Sequence, residues 1–339
     1  MNTNSQQSPI LLVPYMWIGD FVRCHSVVKL LQQRWPDRPI DYLTSSNNAP
    51  LLDYMTGVRA GIVWDLPRGR LPLGQYLGLA KRLRAEHYGS ALIMLRTWKA
   101  ALAPYLAGIP ERIGFVGEGR FLLLNDLRWG ERKLERMIDR CAALALPKDA
   151  ALPTDWPLPE LAVPPAELAE WRSRQELTDQ GLTDKVLPVV ALAPGAIGQG
   201  KRWDTAHYAA LARLLTAQNI DVWVVGGPNE SALAKTIADA GGFRVRDLTG
   251  ADLRNAILAL AAADAAVTND SGLMHVSAAL GTPTVALFGP TSPRLWAPLN
   301  PLAAALEPPG GGPLTSRRID AIPPAQVFEA VQQALAARA

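Results

Sequence analysis

Residues 188–201 read Pro-Val-Val-Ala-Leu-Ala-Pro-Gly-Ala-Ile-Gly-Gln-Gly-Lys, an apolar run that ends in a glycine-rich loop. An unbroken apolar stretch without polar alternation is the pattern of a strand covered on both faces. The spacing predicts a strand over 188–193, a loop over 195–200, a helix near 205–218 and a further strand over 221–225. Strand, glycine turn and helix in succession make the opening unit of a parallel α/β sheet. Downstream the alternation continues with helices over 229–240 and 253–263, a strand over 265–268, a helix over 272–280 and a strand over 284–288.

Upstream the same grammar appears at the start of the chain. Pro9-Ile-Leu-Leu-Val13 reads as a buried strand, Pro14–Gly19 as a turn, and 21–34 as a helix with apolar Val22, Val27, Val28, Leu30 and Leu31. Short apolar runs follow at 40–43, 61–64 and 91–95, with a cationic helical stretch over 75–86 between the last two. The two halves are separated by prolines at 147, 153, 157, 159, 164 and 165, which forbid both a continuous helix and a central strand. A helical stretch over 166–176 follows them. The expected organisation is two Rossmann-like domains, 1–160 and 161–339, with parallel sheets facing each other across a cleft.

Composition supports an ordered protein of that size. Of 339 residues, 49% are hydrophobic and 19% charged, far from the balance of a disordered chain. The length of 339 residues excludes a disulfide mini-protein, and Cys24 and Cys141, which form no C-x-x-C pattern, cannot make a metal cluster and fit free thiols in a reducing compartment. The N-terminal MNTNSQQS lacks the basic and apolar regions of a signal peptide. The longest apolar stretches, 186–197 and 256–267, are interrupted and fall short of the ~20 residues needed to cross a bilayer. Net charge is +3, from 34 Lys and Arg against 31 Asp and Glu, too weak a bias to indicate nucleic acid. The expected location is cytoplasmic.

In open parallel sheets ligands bind beyond the carboxyl ends of the strands, and four such positions carry chemistry. At Gly19-Asp20 a carboxylate at the helix start reads either as an N-cap or as a general base for a substrate hydroxyl. Gly195-Ala-Ile-Gly-Gln-Gly-Lys201 fits the G-x-x-x-x-G-K half of a phosphate loop, but Arg202-Trp203 stands where a magnesium-binding Ser or Thr should follow. The loop is suited to cradle a diphosphate with its N–H groups and Lys201; a surface loop is the alternative. Glu230, in Gly226-Gly-Pro-Asn-Glu230, suits a ribose hydroxyl or simply a helix dipole.

The fourth position, Thr268-Asn-Asp-Ser-Gly-Leu-Met-His275, offers the N–H groups of Ser271, Gly272 and Leu273 at a helix N-terminus, an anion site. Ser271 and His275 share a helix face, yet no G-x-S-x-G elbow supports a hydrolase. His25, His87, His207 and His275 show no metal-ligand spacing, so no metal site is expected.

Taken in order, Trp-Ile-Gly-Asp (17–20), Ala-Pro-Gly-Ala to Gly-Lys-Arg-Trp (193–203), Val-Val-Gly-Gly-Pro-Asn-Glu (224–230) and the 268–293 segment resemble the ADP-heptose:lipopolysaccharide heptosyltransferases of glycosyltransferase family 9. The likeness runs through nearly the whole chain; 107–114 and Leu-Leu-Leu-Asn-Asp (122–126) look most like the heptosyltransferase II branch. The resemblance implies a GT-B fold, with an N-terminal acceptor domain and a C-terminal ADP-heptose domain. It also implies inversion at the anomeric carbon without a metal or other cofactor.

By the same resemblance Asp20 is the base, Lys201 holds the ADP phosphates and Glu230 lies near the ribose. Asp270 contacts the heptose hydroxyls, Ser271, Gly272 and Leu273 meet the diphosphate, and His275 lies near the donor. The implied acceptor is an anionic inner-core glycolipid at the cytoplasmic face of the inner membrane, so Arg68, Arg96, Lys99 and Arg120 become candidate contacts, with a solvated basic face as the alternative. Addition of heptose at another inner-core position, a P-loop-like phosphotransferase or ATPase using Gly195–Lys201, and a non-catalytic nucleotide binder are the competing readings.

Overall fold

The computed structural model describes residues 8–65, 71–175, 187–250, 252–310 and 312–338. The chain divides into two compact units, Met1–Pro159 and Glu160–Ala339.

In the first unit the strands are β1 (Ile10–Val13), β2 (Ile40–Thr44), β3 (Ala60–Val63), β4 (Ser90–Ile93), β5 (Glu111–Phe115) and β6 (Asp126–Arg128). The helices are α1 (Ile18–Arg23), α2 (His25–Arg34), the short α3 (Ala49–Leu52), α4 (Leu73–Ala85), α5 (Trp98–Leu106) and α6 (Met137–Ala145). All strand pairs are parallel and the order is β3-β2-β1-β4-β5-β6. β1 sits centrally and all four of its residues are buried, which is why its sequence is apolar without alternation. α4 buries Tyr76, Leu79, Ala80 and Leu83, one stripe at helical spacing, against that sheet.

The second unit contains β7 (Val189–Ala193), β8 (Asp221–Val224), β9 (Val245–Asp247), β10 (Ala265–Asn269), β11 (Thr284–Leu287) and β12 (Ala303–Leu306). Its helices are α7 (Pro165–Arg174), α8 (Thr205–Ala217), α9 (Ser231–Gly241), α10 (Leu253–Ala262), α11 (Gly272–Ala279), the short α12 (Pro293–Trp296) and α13 (Pro324–Arg338). The order β12-β11-β10-β7-β8-β9, again all parallel, is the first unit's order with new strands. Both sheets therefore have the doubly wound Rossmann arrangement, whose switch point lies between the first and fourth strands. Asp204 and Asp252 start α8 and α10 by accepting the N–H of Ala206 (2.9 Å) and Asn255 (3.0 Å).

Three boundaries differ from the sequence reading. The helix expected over 21–34 begins at Ile18 and is two helices, joined at Cys24 through a tight i→i+3 bond from Val27 N–H to the Cys24 carbonyl (3.0 Å). The helix expected from Asn229 opens as a 3-10 turn over Pro228–Glu230 before α9. Edge strands β3, β6, β9 and β12 are only three or four residues long, and the last three carry no apolar alternation to announce them. The Cys24 and Cys141 thiols are free, buried and 3.6 Å apart, and their mutual hydrogen bond, together with burial, pushes the Cys141 thiol up. No helix among the described residues is long and apolar enough to cross a membrane.

Candidate functional site

β11, β10, β7 and β8 are neighbours in the second sheet, so the loops leaving their carboxyl ends emerge side by side. Three of the four sequence-derived positions meet there. Asn269, the last residue of β10, ties the assembly together: its side-chain amide donates to the Pro194 carbonyl (2.7 Å), while its oxygen accepts the Trp203 N–H (3.2 Å) and the Tyr208 hydroxyl (3.1 Å). One buried side chain thus holds both ends of the 194–203 loop. Sequence reasoning quoted Asn269 without assigning it a task; its place directly after a strand was the available signal.

The loop is fixed internally as well. Arg202 Nε donates to the Ala196 carbonyl (2.8 Å), and Trp203 is buried edge-on against Tyr208 with its indole N–H on the Ile322 carbonyl (3.0 Å). The position where a phosphotransferase loop carries its magnesium-binding hydroxyl is therefore Arg202, whose guanidinium is turned back onto the loop's own backbone, and this disfavours the P-loop reading. Gly200 has a φ of +72°, a backbone region that disfavours any side chain.

Glu230 packs against this loop. Its Oε2 accepts the Gly227 N–H (3.0 Å), and a Cβ on Gly195 would lie 3.0 Å from its carboxylate carbon. A side chain at Gly195 would press on the Glu230 carboxylate, which would have to give by a few tenths of an ångström. On the other flank, a Cβ on Gly289 would come within 2.8 Å of the Gly200 carbonyl oxygen, so the loop after β11 lies directly on the glycine loop.

Asp270 stands at the centre, 8% exposed, with its backbone N–H on the Leu287 carbonyl (3.1 Å). Its Oδ2 accepts from Lys201 Nζ (2.6 Å) and from Thr291 Oγ1 (2.8 Å). Lys201 and Asp270, expected to serve different parts of a donor, are paired with each other here. Ser271 is the N-cap of α11 in extended conformation, followed by Gly272 and Leu273 in the first turn. The Ser271 hydroxyl oxygen is buried with no hydrogen-bond partner among the described residues, so no bond couples it to His275, which is buried one turn further along. A helix N-terminus supplies unsatisfied N–H donors, and here an uncommitted hydroxyl accompanies them.

In the first unit, Asp20 lies in the first turn of α1, three residues after the N-cap Trp17, and is not itself the cap. Its carboxylate, 15% exposed, accepts from Arg23 Nη2 at 2.6 Å, and Arg23 is almost entirely buried. Arg96, half exposed, forms an ion pair with the buried Glu131 (3.0 Å), whose other oxygen receives the Tyr15 hydroxyl (3.5 Å). Burial first, then the Cys141 and Glu131 charges, pushes the Tyr15 hydroxyl up. Lys99 is the second residue of α5 and partly buried, and Arg68 lies outside the described residues.

Arg120 requires a correction. It is 1% exposed, with its guanidinium donating to the Phe115 and Leu95 carbonyls, and burial lowers its pKa to about 10. Its donors stitch the ends of β4 and β5 together, so it is not presented to a ligand. Among the described residues, no group of three or more His, Cys, Asp or Glu side chains is placed to hold a metal ion.

A model of the family described as Glycosyltransferase family 9 (heptosyltransferase) matches residues 76–310. The chain is 36% identical to lipooligosaccharide heptosyltransferase 2 of Haemophilus influenzae, over 88% of each chain. It is likewise 36% identical to lipopolysaccharide heptosyltransferase 2 of Escherichia coli, over 86% of this chain and 85% of that one. The solved structure of E. coli ADP-heptose lipopolysaccharide heptosyltransferase II superposes with a TM-score of 0.85 at 32% identity, covering 97% of this chain and 99% of the other.

Proposed function

The chain belongs to glycosyltransferase family 9, the heptosyltransferases, and is a glycosyltransferase of GT-B fold; from that premise we propose that it transfers L-glycero-D-manno-heptose from ADP-heptose to the heptosyl-Kdo-lipid A inner core of lipopolysaccharide, with inversion. The observation that carries the donor half is the convergence of Lys201, the Gly195–Gly200 loop and the α11 N-terminus at the ends of β7 and β10. An ammonium group and helix-terminal N–H donors suit the developing charge on a departing diphosphate.

In this reading Asp20 takes the proton from the acceptor hydroxyl as its oxygen attacks the anomeric carbon and the bond to the diphosphate breaks. Arg23 holds the Asp20 carboxylate in one orientation. Lys201 and the N–H groups of Ser271, Gly272 and Leu273 receive the leaving ADP, Asp270 orients the sugar hydroxyls, and Glu230 and His275 complete the nucleotide side. The first unit then serves the acceptor and the second the donor. Arg96 and Lys99 are the described cations proposed to meet acceptor phosphates or carboxylates while the enzyme rests on the cytoplasmic face of the inner membrane.

The test is incubation of the purified protein with ADP-heptose and singly heptosylated Kdo-lipid A in EDTA, followed by mass measurement of the acceptor. Gain of one heptose with wild type and none with Asp20→Asn, which still binds ADP, is the expected result. No gain while ADP still raises the melting temperature rejects this acceptor, and no ADP effect rejects the donor-site reading.

A further inference from the structure

Two donors of unlike character share a single oxygen of Asp270. Lys201 reaches it from the glycine loop and is 27% exposed, while Thr291 reaches it from the loop after β11. Asp270 itself is 8% exposed on a strand end fixed to Leu287, so its carboxylate cannot escape to water by moving its backbone. A buried carboxylate left without a donor is costly, and the group responds by shifting or taking up a proton.

The proposed diphosphate donor makes this pairing a conflict. Lys201 lies at the end of the phosphate-cradling loop, and a doubly charged diphosphate competes with Asp270 for the one ammonium group. As Lys201 turns to the phosphates, Asp270 needs a second donor that carries no positive charge for the phosphates to attract. The Thr291 hydroxyl, 2.8 Å away on the same oxygen, is that group. The close approach of Gly289 to the Gly200 carbonyl sets the loop that carries Thr291 directly against the loop that carries Lys201.

We propose that Thr291 is a positioning residue for the transfer reaction: it retains the Asp270 carboxylate when nucleotide diphosphate draws Lys201 away, and it acts through Asp270 without touching the phosphates. The proposal rests on the donor-site reading given above.

The experiment measures ADP affinity by calorimetry for wild type, Thr291→Ser, Thr291→Val, Asp270→Ala and the Thr291→Val/Asp270→Ala double variant. Thr291→Val is expected to weaken ADP ~10-fold, since binding then strands a buried carboxylate, and Thr291→Ser to stay within ~2-fold of wild type. In the Asp270→Ala background, Thr291→Val should cause no further loss. An unchanged Thr291→Val, a loss that persists without Asp270, or a Thr291→Ser variant as weak as Thr291→Val overturns the proposal.

Thermal melts without nucleotide provide a readout independent of ADP. Thr291→Val should lower the melting temperature more in a Lys201→Met background than in wild type, because only then has Asp270 lost both donors. Equal effects in the two backgrounds overturn the sharing of Asp270. Should Thr291→Val fail to fold, Thr291→Ala serves in its place. Failure of wild type to bind ADP rejects the donor-site reading, and the melts still decide whether Thr291 and Lys201 are coupled through Asp270.

Discussion

The two sheets have the same strand order and differ in how their carboxyl-end polar groups are employed. In the second unit, Asn269 and Glu230 hold the glycine-rich loops in place, Lys201 is paired with Asp270, and the Ser271 hydroxyl at the α11 N-terminus stays uncommitted. In the first unit, the corresponding region is braced by long cationic side chains: Arg23 on Asp20, Arg96 on Glu131, Arg120 on two carbonyls. One fold therefore yields a proposed anion cradle in one unit and a charge-braced platform in the other, and the difference lies in the loops. A cation's presence in sequence says nothing about whether its donors are already taken.

Several substitutions probe that contrast. The largest effect is expected at Asp20: Asp20→Asn should lower kcat ~1,000-fold, within the range of a lost general base, with ADP affinity unchanged in calorimetry. Comparable loss of both would move Asp20 from the chemistry into folding. Arg120→Leu should destabilise the protein by about 3 kcal/mol in urea denaturation, because the Phe115 and Leu95 carbonyls lose charged donors. A stable Arg120→Leu with a raised acceptor KM would return this residue to ligand binding and erase the distinction drawn here.

Lys201→Met tests the cradle, with ADP affinity expected to fall ~10-fold, the worth of one charged hydrogen bond, and acceptor KM to stay unchanged. The smallest effect belongs to Arg96→Ala. Its guanidinium is half exposed but its partner Glu131 is buried and keeps only the Tyr15 hydroxyl, so urea denaturation should show a loss of about 1 kcal/mol. Acceptor KM should rise ~3-fold if the guanidinium exchanges Glu131 for an acceptor phosphate, a modest change because the exposed charge is screened by salt. A rise in donor KM instead would break the assignment of acceptor to the first unit.

The central strands were legible because β1, β7 and β10 are covered on both faces, which makes β1 and β7 apolar throughout and β10 apolar up to Thr268. Glycines 195 and 200 and the residues at strand ends pointed to the proposed donor site for a similarly local reason: a tight turn or a close approach disfavours a side chain. The short edge strands β6, β9 and β12 stayed hidden, since edges are half exposed and have no pattern to impose. Asp20 was legible as a residue at a helix start but not as the partner of a buried arginine one turn later.

By itself the sequence determined the class of fold, the two-part division and the family, because these depend on periodicity, turns and motif order. Tertiary structure alone decided which polar groups meet. That Asn269 clamps a loop beginning 75 residues earlier, that Lys201 and Thr291 share one Asp270 oxygen, and that Arg120 reaches the Leu95 carbonyl beyond the neighbouring strand are outcomes of long-range strand adjacency. Hydrogen bonds act over about 3 Å. No local pattern in the chain specifies which distant groups the parallel crossovers bring within that distance.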